Sequence, residues 1–124
     1  MTVNDYRVAA EQGDAAAQFD LGYCYASGNG VEENYTQAVY WWKKAAQQGD
    51  ANAQFELANC YYLGKGVEED NNMALYWYEQ AYKNGVKLDS ALLTASTYAM
   101  QLLRGKGYSS SLACPVLSDL QSGK

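Results

Sequence analysis

Histidine is absent from the 124 residues, and with it go the commonest general base and the commonest neutral metal ligand. Proline occurs once, at Pro115, so nothing breaks a helix anywhere before it. Basic side chains are scarce, nine against fourteen acidic ones. The net charge of −5 argues against nucleic acid or an anionic membrane as the main partner. No apolar run approaches the roughly 18 residues that a membrane span requires. The opening MTVNDYRVAAEQ has neither a basic stretch nor an apolar one, so no secretory signal is expected and the chain is expected in the cytoplasm. Three cysteines cannot all pair, which fits a reducing compartment. What is plentiful is apolar matter, 48% of the chain, enough to bury a core and too much for a disordered tail.

That apolar matter is periodic. Residues 13–48 laid over 49–84 give 18 identities in 36 positions without a gap, and a period in the mid-thirties signals stacked helical hairpins. A third copy is degenerate: matching Gly105-Lys106-Gly107 to Gly64-Lys65-Gly66 takes a shift of 41, which puts five extra residues at Val86 to Ser90. Upstream, Asp5 to Gln12 aligns with the end of a second helix, as in Trp41 to Gln48. The expected organisation is a single solenoid domain over 1–124, made of a half repeat (1–12), two full repeats (13–48 and 49–84), and a degenerate third with a C-terminal cap (85–124).

Within a repeat, helix A is expected to open on Asp14 or Asp50, whose carboxylates accept from first-turn amides. It closes on Gly28 or Gly64, which can enter the left-handed conformation. Helix B runs from about Asn34 or Asp70 to just before Gly49 or Gly85. Its apolar residues Ala38, Trp41, Trp42 and Ala45, repeated as Ala74, Trp77, Tyr78 and Ala81, have the spacing of one buried face. Helix A carries two stripes. Ala17, Leu21, Cys24 and Tyr25, with Ala53, Leu57, Cys60 and Tyr61, are expected against helix B, while Gly22, Ala58 and Ala99 keep that contact close. The second stripe joins Ala16, Phe19, Tyr23 and Ala26 to Asn52, Phe55, Asn59 and Tyr62, then to Leu93, Ser96, Met100 and Leu103. Successive A helices of a stacked array line one inner wall, so these side chains are expected to meet there.

The string Ala15, Ala17, Gln18, Leu21, Gly22, Tyr25, then Gly28, Gly30, Val31, then Ala38, Trp41 or Trp42, Ala45 and Ala46 resembles the Sel1-like repeat, a relative of the tetratricopeptide repeat. The second copy keeps Ala51, Ala53, Gln54, Leu57, Tyr61, Gly64, Gly66, Val67, Ala74, Trp77 and Ala81, with Ala58 for the glycine and Tyr82 for the last alanine. The family usually opens helix B on an acid followed by an aromatic, and Asn34-Tyr35 and Asp70-Asn71 each supply one of the two. The resemblance implies an all-α, right-handed α/α superhelix of stacked hairpins whose concave side binds proteins or peptides, with no shared catalytic activity. Some relatives carry a cysteine pair crosslinking each repeat, and one cysteine per repeat does not match that pattern.

Other constellations have plainer explanations. Cys24 and Cys60 sit in an apolar stripe as small buried hydrophobes. Equivalent positions on stacked helices lie roughly 8 to 10 Å apart, beyond the roughly 7 Å that a disulfide spans. Glu32-Glu33 and Glu68-Glu69-Asp70 recur where helix B starts and are expected to cap it and face its dipole. Gly28-Asn29-Gly30 and Gly64-Lys65-Gly66 lack the fingerprint of a phosphate loop. No nucleophile, base or metal set converges, so no enzyme, cofactor or metal is expected. Residues 1–84 hold five basic and twelve acidic side chains and 85–124 hold four and two, a division that favours a basic partner segment. The expected function is a protein-interaction module whose partner lies on Phe19, Tyr23, Asn52, Phe55, Asn59, Tyr62 and Met100. The alternative is a specific inhibitor or immunity-type protein that blocks an enzyme. Any self-association is expected to be weak and to run through the array ends, and a short helix over Ser109–Gln121, with Leu112, Ala113, Val116, Leu117 and Leu120, is expected to close the third hairpin.

Overall fold

A computed structural model describes residues 2–113, in the order α1 (Val3–Glu11), α2 (Ala15–Ser27), α3 (Tyr35–Gln47), α4 (Ala51–Leu63), α5 (Asn71–Lys83) and α6 (Ser90–Gly105), then a 3-10 turn at Ser110–Ala113. No strand occurs among the described residues, and the chain is the expected all-α solenoid of stacked hairpins. Short polar side chains start these helices. Asp14, Asn34, Asp50, Asp70 and Asp89 each accept from a first-turn amide of α2 to α6 in turn, and Thr2 forms a capping box with Asp5 on α1. The stops are glycine: Gly28 (φ 71°) and Gly64 (φ 70°) are left-handed caps on α2 and α4. The turns then close on themselves, with the Asn34 amide donating to Tyr25 O at 2.9 Å and the Asp70 amide to Tyr61 O at 3.0 Å.

One expectation about the turns needs correction, and the third copy differs from the other two. Glu32, Glu33, Glu68 and Glu69 do not cap helix B, because they precede the cap residue and stand exposed in the turn. Only Asn34 and Asp70 reach the amides. In the third copy, Gly105 is the last helical residue of α6 instead of a left-handed cap, and Gly107 takes the positive φ of 93°. Gly66 is required on two counts: its φ is +74°, and a Cβ there would lie 2.4 Å from the Tyr35 carbonyl oxygen. The turn of the second repeat thus leans directly on the start of α3.

Alanine lets the helices approach. Ala38, Ala45, Ala53, Ala58, Ala74 and Ala81 are all fully buried, small enough for backbones to pack at close range. Between them the large side chains are matched pair by pair. Trp42, 1% exposed, lies over Gly22, where a Cβ would meet its ring at 2.6 Å, and its Nε1 donates to Phe19 O at 3.1 Å. In the next repeat Ala58 and the smaller Tyr78 hold the equivalent positions in the same core cluster, and the Tyr78 hydroxyl donates to Asn59 Oδ1 at 2.5 Å. The glycine and tryptophan of one copy have therefore become alanine and tyrosine in the other, preserving volume.

A chain of amides ties repeat to repeat. Buried Gln18 donates to Ala10 O at 3.1 Å and accepts from Gln48 at 2.9 Å. Buried Gln54 does the same with Ala46 O at 3.0 Å and Asn84 at 2.9 Å. Each glutamine thus pins the helix before it and the helix after it, and satisfies its own amide in the core. The third copy has Ala95 at this position under the shift of 41, so the chain of amides stops. Where Ala46 packs tightly on α4, its counterpart Tyr82 is a large side chain between α5 and α6, with its hydroxyl on Ser96 Oγ. Arg104 and Glu79 form the one ion pair among the described residues, at 2.7 Å, also between α6 and α5. The expected terminal helix is described only as far as Ala113; Cys114, Val116, Leu117 and Leu120 lie outside the described residues.

A groove along the first helices of the repeats

Two pockets lie along α2, α4 and α6. One, of about 350 Å³, lies between α2 and α4, lined by Tyr23, Ser27, Glu56, Asn59, Leu63 and Lys65 over the floor residues Tyr35, Trp42 and Cys60. The other, of about 240 Å³, lies between α4 and α6, lined by Tyr62, Leu63, Asn59, Leu92, Ala95 and Ser96 over Phe55 and Tyr78. Asn59 and Leu63 belong to both, so the two form one groove crossing α4.

Seven residues expected on the inner wall divide sharply. Tyr23 is 56% exposed and lines the α2–α4 pocket. Asn59 stands at the junction, and half-buried Tyr62 lines the α4–α6 pocket. Phe55 is 6% exposed, its ring 5.8 Å from that of Tyr78, so it serves as floor. Met100, 7% exposed, lies in the core with Leu103 and lines neither pocket. Phe19 is half-buried against Tyr23 and Asn52 is exposed, and neither lines either of these two pockets. Met100 is thus a packing residue: α6 turns that face of its stripe, with Ser96 and Leu103, inward.

Glu56, Leu63, Lys65, Tyr35 and Leu92 line the groove but stand outside the predicted stripe. On α4 the lining residues Glu56, Asn59 and Leu63 follow i, i+3, i+7, the same period as the stripe but turned by one residue. That rotation is the signal, and it becomes readable only when Asn59 is taken as the centre of the face. Leu63, at 58% exposure, is a large apolar side chain standing in solvent at the centre of the groove.

Electrostatics in the groove follow from burial. Glu56 has its pKa raised by desolvation. Asp20, at the matching position of the preceding repeat, is raised by desolvation and then by Asp50 and Asp14. Burial pushes the Cys60 thiol up to about 12, with Glu56 adding to the shift and Lys65 opposing it. It raises Cys24 as well, and both thiols are free and buried. Asn59 has its Oδ1 engaged by Tyr78, which leaves the two amide hydrogens to an outside acceptor. Among the described residues no three His, Cys, Asp or Glu side chains are placed to hold a metal ion, and no helix is long and apolar enough to cross a membrane.

Comparison with known proteins matches residues 15–50 and 51–86 to the Sel1 repeat. A Sel1 repeat protein from Oxalobacter formigenes is similar in structure, at 35% identity and a TM-score of 0.65 over 77% of this chain and 37% of that one. So is c5321, a protective antigen of uropathogenic Escherichia coli displaying an SLR fold, at 31% identity and a TM-score of 0.61 over 94% of this chain and 27% of that one. The chain spans about a third of the length of these relatives. No curated protein sequence matches it.

Proposed function

Since the chain belongs to the Sel1 repeat family, whose members are generally non-enzymatic protein-interaction modules, we propose that it binds a peptide or extended protein segment in the groove across α2, α4 and α6. The observation that carries this reading is the shared position of Asn59 and Leu63 in both pockets. Asn59 is oriented by Tyr78 and offers amide hydrogens to a partner's backbone, and exposed Leu63 beside it offers apolar area. Tyr23 and Tyr62 flank them with large, rotor-poor contact surfaces of the kind enriched at binding hot spots. Of the residues expected from the sequence, Tyr23, Asn59 and Tyr62 carry the contact in this proposal, while Phe55 supports it from below.

The test is selection of displayed random peptides on the intact chain, followed by nuclear magnetic resonance with the selected peptides. Shifts should concentrate at Leu63, Tyr62 and the Asn59 side-chain amide. Leu63→Asp should weaken binding by about tenfold or more, a hot-spot loss, and leave the unfolding midpoint nearly unchanged because the side chain is in solvent. Shifts confined to the exposed side of α3, around Tyr40, would refute the groove.

A further inference from the structure

The α2–α4 pocket holds a carboxylate that forms no ion pair among the described residues. Glu56 is half-buried there, yet the only ion pair among the described residues joins Arg104 to Glu79, and no side chain or amide donates to Glu56. Desolvation alone raises its pKa, with no nearby cation pulling the other way. A partly buried, unpaired carboxylate destabilises the chain that carries it. The glutamine of the same shape would fit the space without that cost.

Lysine is present in the lining but does not neutralise the acid. Lys65 Nζ lies over the Tyr35 ring, 5.2 Å from its centroid. The surroundings have the same sign as Glu56: Asp20 occupies the equivalent place one repeat earlier, and residues 1–84 carry twelve acidic side chains against five basic. The rest of the lining is aromatic, with Tyr23, Tyr35 and Trp42, and aromatic faces attract cations. By contrast, no charged side chain lines the α4–α6 pocket, where Phe55, Tyr62, Leu92, Ala95 and Ala99 stand beside the uncharged Asn59 and Ser96.

We propose that the α2–α4 pocket receives a lysine or arginine side chain of the partner, paired with Glu56 among the aromatic rings, while a neighbouring apolar side chain of the same segment enters the α4–α6 pocket beyond Leu63. This rests on the groove reading above and names the partner's chemistry: a basic residue close to an apolar one. An acidic segment would instead have to bring a second carboxylate beside Glu56.

The experiment uses displayed random heptapeptides selected on the full chain, with affinities of the selected peptides then read by fluorescence anisotropy. The peptides should share a lysine or arginine near an apolar residue. Glu56→Gln, which keeps the shape of the side chain, should weaken them by about tenfold or more, as loss of a desolvated charge pair does. Replacing the peptide's basic residue by norleucine should cost as much, and the two losses should not add, because they remove one interaction. Peptides that bind the groove without a basic residue, or that bind Glu56→Gln unchanged, overturn this inference and leave the groove reading standing. No enrichment at all, or resonance shifts away from α2, α4 and α6, overturns both.

Discussion

Gly22→Ala pits two effects of opposite sign against each other. Gly22 lies inside α2, and replacing glycine by alanine in a helix interior stabilises by roughly 0.5 to 1 kcal/mol when nothing else changes. Here the added Cβ would lie 2.6 Å from Trp42 Cδ1 and Nε1 and 3.1 Å from Ala38 O. Trp42 cannot step aside cheaply, because it is 1% exposed and its Nε1 is tied to Phe19 O at 3.1 Å. Overpacking of this kind costs about 1 to 3 kcal/mol, and straining the indole hydrogen bond adds roughly 0.5 to 1.5. The balance is a net loss of about 0.5 to 4 kcal/mol, which lowers the midpoint of thermal unfolding by several degrees at mid-range for a domain of this size. The second repeat shows the remedy, since Ala58, Asn59 and Tyr78 occupy the places of Gly22, Tyr23 and Trp42. The triple change Gly22→Ala, Tyr23→Asn, Trp42→Tyr should therefore recover at least half of what Gly22→Ala loses, measured by calorimetry and urea unfolding side by side. If Gly22→Ala alone raises the midpoint, helix propensity has won and the packing argument fails. If the triple variant is no better than the single one, the matched pairing of the two repeats has no energetic content.

Gln54→Leu removes the hydrogen bonds to Ala46 O and from Asn84 and should cost about 1 to 3 kcal/mol; a urea midpoint unchanged from wild type would mean that the amide chain does not hold the repeats together. Glu56 titrates in the folded chain above its ordinary 4.5, so between the unfolded and folded values the native state holds the proton more tightly and wild-type stability falls as pH rises through that window. Glu56→Gln should consequently gain on wild type as pH rises above the ordinary glutamate value of 4.5, and a difference that does not change with pH would contradict the burial of this carboxylate. With Cys60 pushed up to about 12 and Cys24 also raised, hardly any thiolate is present at neutral pH. A disulfide reagent should therefore modify both only as denaturant opens the fold, and prompt labelling of the native chain at either site would show the helix A packing to be wrong.

What the sequence by itself determined is local or repeated. Caps at Asp14, Asp50 and Asp70, left-handed stops at Gly28 and Gly64, and the register of two copies 36 residues apart are written in residue types whose backbone chemistry does not depend on distant partners. That Tyr23, Asn59 and Tyr62 lie on the side where α2, α4 and α6 adjoin was legible too. Tertiary structure alone decided which neighbouring residues face the groove and which face the core. Successive helix residues differ by about 100°, so Phe55 and Glu56 look almost at right angles, and only the rotation of α4 between α2, α3 and α5 sends the ring to Tyr78 and the carboxylate to the pocket. The same holds for Met100, whose apolar side chain suits a groove or a core equally and whose place follows from how α6 meets α5. At that contact a tyrosine, Tyr82, stands where the earlier repeat has Ala46, and five extra residues precede the helix. Period and composition count such changes as ordinary substitutions, whereas packing feels the volume of each side chain against the neighbour it actually meets.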